Sequence, residues 1–118
     1  MLTKPILIVE DFVITALDLK NTLKKFGFSN SVIINEGQKA IDFIEGETPL
    51  VVLLDINLAD EVSGLEVARC LNQKKIPFIF ISAFSDKKNF KLVEELNPVG
   101  VIEKPFDDEV LRNLLPEY

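Results

Sequence analysis

Four apolar runs in this chain end in residues that can do chemistry. The run Pro5–Val9 leads into Glu10-Asp11, Leu50–Leu54 into Asp55, Pro77–Ile81 into Ser82-Ala83, and Val99–Ile102 into Glu103-Lys104-Pro105. Three carboxylates gathered within a few ångströms repel one another unless a cation compensates. An all-oxygen donor set suits Mg²⁺, or Mn²⁺ in its place, with several waters kept in the shell. The Lys104 ammonium and the Ser82 hydroxyl both suit phosphoryl oxygens. With an Asp as nucleophile, these are the parts for phosphoryl transfer to a carboxylate.

Taken singly, each residue has a plainer meaning. An Asp or Ser at the end of a strand is commonly a turn former or a helix cap. Lys104-Pro105 is an ordinary loop dipeptide, and Glu10-Asp11 alone reads as a solvated turn. The conjunction carries the argument: all four fall at the carboxyl ends of predicted strands and none at an amino end.

That placement depends on the elements between them. Five runs have strand length: Pro5–Val9, Ser31–Ile34, Leu50–Leu54, Pro77–Ile81 and Val99–Ile102. Three are nearly continuous Ile, Leu, Val and Phe, as strands buried on both faces require. Helical spacing fills the gaps. In Phe12–Phe26, Ala16, Leu19, Leu23 and Phe26 form one stripe, with Gly27 as the C-terminal stop. Gly37–Glu45 aligns Ala40, Ile41 and Ile44, and Gly64–Lys74 aligns Leu65, Ala68 and Leu71 behind a Ser63 cap. Gly64 itself is a poor way to start a helix. Ser85 or Asp86 can cap a fourth helix, and a fifth is expected from Asp107 to Leu115.

Five βα units predict an α/β fold: one doubly wound (βα)5 domain of flavodoxin-like type, a five-stranded parallel sheet with helices on both faces. Such sheets bind ligands outside the carboxyl ends of their strands. The whole of 1–118 reads as a single domain.

Composition narrows the chemistry further. Thirteen basic against nineteen acidic residues give a net charge of −6. That opposes direct nucleic-acid contact and anionic membranes, which need a basic face. Histidine is absent, which removes His bases, His metal ligands and a phosphohistidine made by the chain itself. Cys70 is the one cysteine, so no internal disulfide or multi-Cys zinc site exists, and it reads as a small core residue. No apolar stretch reaches the roughly 20 residues that cross a bilayer, so membrane insertion is not expected and a cytoplasmic location is.

The motifs now acquire a specific likeness. Ile6-Leu-Ile-Val-Glu10-Asp11, Val51-Val-Leu-Leu-Asp55-Ile-Asn57-Leu58, Phe80-Ile-Ser82-Ala83 and Lys104-Pro105-Phe106 resemble the receiver domain of two-component response regulators, in order and spacing, over essentially the whole chain. The resemblance implies that Asp55 is the phosphoacceptor, charged by the phosphohistidine of a sensor histidine kinase or a histidine phosphotransfer protein. It implies Mg²⁺ held by Asp11, Asp55 and the backbone carbonyl of Asn57, with Glu10 acting through a water. It implies that Lys104 pairs with a phosphoryl oxygen and that Ser82 swings in to bond the group, coupling the chemistry to the face formed by the fourth helix, fifth strand and fifth helix and so to a downstream protein. Apart from that likeness, phosphorylation is expected to move the backbone around Ser82-Ala83-Phe84. Pro105 commonly follows a cis peptide bond in that family.

Some positions depart from the pattern. Receivers often carry Tyr or Phe three residues before the Lys, and here Val101 stands there, so a conventional aromatic switch is not expected. The loop Leu58–Gly64 lacks the frequent Pro-Gly and carries Asp60 and Glu61, read as a solvated turn. Phe12 directly follows the acidic pair, where core packing and an exposed partner contact fit equally well.

The competing reading from another class is a haloacid-dehalogenase-like phosphatase, which also uses an Asp nucleophile, Ser or Thr, Lys and Mg²⁺. Its motif needs a second Asp two residues after the nucleophile. That position is Asn57, and the acidic pair comes first in the chain rather than late. A binding module that is never phosphorylated is disfavoured because every part of an acceptor site is present. Catalysis would be limited to self-phosphorylation and slow autodephosphorylation, in a receiver that stands alone or belongs to a longer protein.

Overall fold

The computed structural model describes residues 4–56, 58, 63–83 and 90–116. The chain alternates β1 (Ile6–Val9), α1 (Val13–Lys25), β2 (Ser31–Ile34), α2 (Gly37–Gly46), β3 (Val51–Asp55), α3 (Gly64–Lys74), β4 (Phe78–Ala83), α4 (Phe90–Glu95), β5 (Gly100–Lys104) and α5 (Asp108–Leu114). The strands form one parallel sheet in the order β2-β1-β3-β4-β5. The predicted (βα)5 architecture is therefore the observed one. The expected caps Ser85 and Asp86 lie outside the described residues.

Alternation along each strand divides the core in two. Leu7, Val9, Val52, Leu54, Phe78 and Phe80 face one side, where Ala40 and Ile44 of α2 and Val67, Ala68 and Leu71 of α3 cover them. Ile6, Ile8, Val51, Leu53, Ile79 and Ile81 face the other, under Ala16, Leu19 and Leu23 of α1 and Leu111 of α5. Every residue of β1 and β3 is buried, which is why those runs are unbroken by polar residues. Phe78 and Phe80 meet edge to face with centroids 5.4 Å apart, the arrangement ring quadrupoles prefer. Cys70 is only half-buried, packed at the margin of the first cluster rather than inside it.

The helix ends follow the sequence signals. Ser63 Oγ accepts from the Glu66 N–H at 3.3 Å, and Gly27 takes a left-handed φ of 95° after α1, as a glycine stop requires. Three strands run slightly further than their apolar composition indicates. β3 includes Asp55, β4 includes Ser82-Ala83, and β5 includes Glu103-Lys104, because ladder pairing continues into the polar residues. The chemical groups thus sit on the last rungs of the sheet.

Gly64 has a reason to start α3. A Cβ there would collide with the Asp55 carbonyl oxygen and come within 2.8 Å of the Ile56 Cα. The first turn of α3 rests directly on the backbone that carries Asp55. We expect Gly64→Ala to lower the unfolding free energy by roughly 1–3 kcal/mol, the range of an overpacked site. Lys75, which ends α3 at φ 60° and ψ 36°, should respond oppositely: Lys75→Gly relieves a left-handed conformation and raises stability by about 1 kcal/mol. Urea midpoints unchanged from wild type in both variants would contradict these assignments.

Candidate functional site

The sheet register brings the strand ends together. Val9 pairs with Leu54, so Glu10 and Asp55 follow on adjacent strands. Asp55 pairs with Ile81, and Ser82 and Ala83 pair with Glu103 and Lys104. The chain leaves β1 toward β2 and returns past β1 to β3, so the connections after β1 and β3 diverge at this edge. A crevice opens at that switch point.

Glu10, Asp11 and Asp55 each present a carboxylate oxygen within 4.8 Å of the others. Glu10 and Asp55 are buried, Asp11 half-buried. Lys104 Nζ donates to Glu10 Oε2 at 3.2 Å and stands 3.8 Å from Asp55 Oδ2. One ammonium against three carboxylates leaves a formal charge of −2, which a single divalent cation balances. Asp11 Oδ1 is buried and has no hydrogen-bond partner among the described residues. An unpaired buried carboxylate oxygen is costly, and a metal ligand bond would satisfy it. These residues fit a hard cation.

Ser82 Oγ is likewise buried and without a partner among the described residues. A hydroxyl stranded in this way is stabilised by an acceptor arriving at the crevice. The sequence reading therefore placed Glu10, Asp11, Asp55, Ser82 and Lys104 at one sheet edge, and the structure brings them there. The Lys104-Pro105 peptide bond is cis, as the likeness implied. Asn57 and Phe84 lie outside the described residues, as do Asp60 and Glu61.

Phe12 resolves in favour of exposure, at 69%. Val13, Ile14 and Leu17 are exposed beside it, forming an apolar lip that sequence reasoning missed. Its signal was present, because these aliphatics fall off the buried stripe of Ala16, Leu19 and Leu23. A second missed feature is the anchoring of Glu10: its Oε1 accepts the Phe12 N–H at 3.1 Å while Oε2 takes Lys104. Val101 is half-buried against the core on β5, opposite Phe80. A groove of about 690 Å³ lies between α1 and the β5–α5 connection, with Thr15, Thr22 and Lys25 on one wall and Lys104, Pro105 and Phe106 on the other.

Comparison with known proteins agrees with this geometry. The family model described as response regulator receiver domain matches residues 6–116. The chain is 33% identical over 103 residues to the phyllosphere-induced regulator PhyR of Methylorubrum extorquens, covering 86% of this chain but 38% of that protein. It is 27% identical to sporulation initiation phosphotransferase F of Bacillus subtilis, covering 100% of this chain and 95% of the relative. Among solved structures, the signal receiver domain of a signal transduction histidine kinase from Syntrophus aciditrophicus superposes with a TM-score of 0.83 at 28% identity, over 96% of this chain and 90% of that one.

The electrostatics of the cluster can be measured directly. In metal chelator, Asp11→Asn should raise the melting temperature by roughly 4 °C, because removing one of the like charges held within 4.8 Å relieves about 1 kcal/mol. Excess Mg²⁺ should reverse the order, since only the wild type keeps the full ligand set and gains stability by binding. A variant that melts like wild type under both conditions would mean the carboxylates do not interact.

Proposed function

Because the chain belongs to the response regulator receiver domain family, we propose that Asp55 is its phosphoacceptor and that Glu10, Asp11, Ser82 and Lys104 serve that transfer. The observation that carries this reading is the position of Asp55. It ends β3, with two carboxylates within 4.8 Å and an ammonium at 3.8 Å. The match to a receiver model leaves the phosphatase alternative without support.

An Asp55 carboxylate oxygen attacks the phosphorus of a phosphoimidazole on a histidine kinase or histidine phosphotransfer protein. The P–O bond forms as the P–N bond breaks, and the electron pair goes to the imidazole nitrogen, which takes up a proton. Lys104 turns its donors to the transferred phosphoryl oxygens, and Ser82 Oγ donates its hydrogen to another. Asp11, Asp55, the Asn57 backbone carbonyl and, through water, Glu10 would hold Mg²⁺ or Mn²⁺. That cation supplies charge neutralisation for the transferring phosphoryl group. Water later hydrolyses the acyl phosphate slowly, regenerating Asp55 and phosphate.

The donor faces the apolar lip of Phe12, Val13, Ile14 and Leu17, beside the groove that ends at Pro105 and Phe106. Exposed aromatic and aliphatic side chains next to a reacting group suit a protein partner. Output runs through Ser82, Ala83 and Phe84 to a downstream protein, without direct nucleic-acid contact and without a ring at Val101. No helix among the described residues is long and apolar enough to cross a membrane, and a cytoplasmic location goes with the partners proposed.

With acetyl phosphate and Mg²⁺, intact-mass analysis should register one added phosphoryl group on wild type and none on Asp55→Asn. Asp11→Ala should weaken Mg²⁺ binding by about tenfold or more in a titration. Equal labelling of Asp55→Asn would sink the acceptor assignment, and unchanged affinity in Asp11→Ala would sink the ligand assignment. Many turnovers of an unrelated phosphate ester would revive the phosphatase reading.

A further inference from the structure

Glu10 is the most buried acid of the site, at 2% exposure, and both of its oxygens are taken. Oε2 accepts from Lys104 at 3.2 Å, and Oε1 accepts from the Phe12 N–H at 3.1 Å. Phe12 is the N-cap residue of α1 and makes no side-chain capping bond of its own. The Glu10 carboxylate therefore joins β5 to the start of α1 through two charge-assisted hydrogen bonds, the stronger kind.

Lys104 is shared unequally. Its ammonium stands closer to Glu10 than to Asp55, 3.2 Å against 3.8 Å. Phosphorylation replaces the single charge of the Asp55 carboxylate with close to two on the phosphoryl group, a net gain of about one, and brings three acceptor oxygens to the Asp55 side. The Lys stem is flexible and its three donors rotate freely, so the new charge draws the ammonium off Glu10. The carboxylate then loses its direct link to β5, keeps the Phe12 N–H, and turns about it. Whatever moves Glu10 moves the first residue of the apolar lip.

We propose that Glu10 is a positioning residue that couples Lys104 to the start of α1, so that the lip formed by Phe12, Val13, Ile14 and Leu17 changes conformation when Asp55 is phosphorylated. This rests on the receiver reading of Asp55. The surface that meets the phosphodonor then differs before and after transfer, which favours release of the spent donor. It also gives the chain a phosphorylation-sensitive face on α1, away from β5, where Val101 has no ring to turn.

The test is amide NMR on the full chain. In metal-free, unphosphorylated protein, Lys104→Ala should shift the Phe12 and Val13 amides although the change lies 92 and 91 positions away in sequence. Lys104→Arg, which keeps an ion pair with Glu10, should leave them near wild type. In wild type with Mg²⁺, acetyl phosphate should shift the same amides in the direction that Lys104→Ala does. In the metal-free protein, Glu10→Gln keeps an acceptor for the Phe12 N–H but loses the ion pair, so it should shift these amides as Lys104→Ala does, and adding Lys104→Ala to it should move them no further. Phe12 and Val13 amides unmoved by Lys104→Ala, or moved as far by Lys104→Ala in the Glu10→Gln background as in wild type, would overturn the coupling. Failure of wild type to gain a phosphoryl group would instead overturn the receiver reading, and the metal-free Lys104 comparison would still decide the coupling.

Discussion

Packing a parallel sheet between two layers of helices leaves no room for a charge except where the strands stop. β1 and β3 each lie between two paired strands, and their apolar side chains pack into one helix-covered layer or the other. A carboxylate placed mid-strand would face an apolar layer, at a cost of several kcal/mol. The end rungs are different. They pair with a neighbouring strand yet border the crevice, where the Lys104 ammonium meets the buried carboxylates of Glu10 and Asp55. The site is a product of that constraint: Asp55, Ser82 and Lys104 are each the last or next-to-last residue of a strand.

Within the crevice, geometry and electrostatics depend on one another. Three carboxylates can be held close only because Lys104 reaches two of them. The shortfall of positive charge that remains is what a bound cation would make up, and it is sharpest at Asp11 Oδ1, which is buried without a partner among the described residues. A fully neutralised cluster would be more stable and less useful, in line with the strain that functional sites commonly retain.

Much of this was readable before any coordinates. Burial on both faces forces unbroken aliphatic composition, so β1 and β3 announce themselves, and the Ser63 cap and the Gly27 stop are local signals with local causes. The polar residues terminating the strands were legible because parallel topology sends all carboxyl ends to one edge. What could not be read has a tertiary cause. The two anchors of Glu10 depend on the turn into α1 and on a lysine at the far end of the chain. Gly64 looks like a poor helix former until α3 is seen resting on the Asp55 backbone. The exposure of Val13, Ile14 and Leu17 was signalled by their place off the buried stripe of α1, although its cause is the sheet's claim on the opposite face. Cys70 sits at the core margin, where sequence pattern does not separate a filled interior from its rim.

The site is also assembled from the whole length of the chain, with Glu10 near one end and its ion-pair partner Lys104 near the other. No contiguous fragment carries it, and no partly folded form that lacks β5 holds the ammonium in place. In the unfolded chain Asp55 is one of nineteen scattered acids, with nothing to set it apart. On the reading proposed above, chemistry and cooperative folding share a single threshold: damaged or half-made copies of the protein would fall silent and send no false messages.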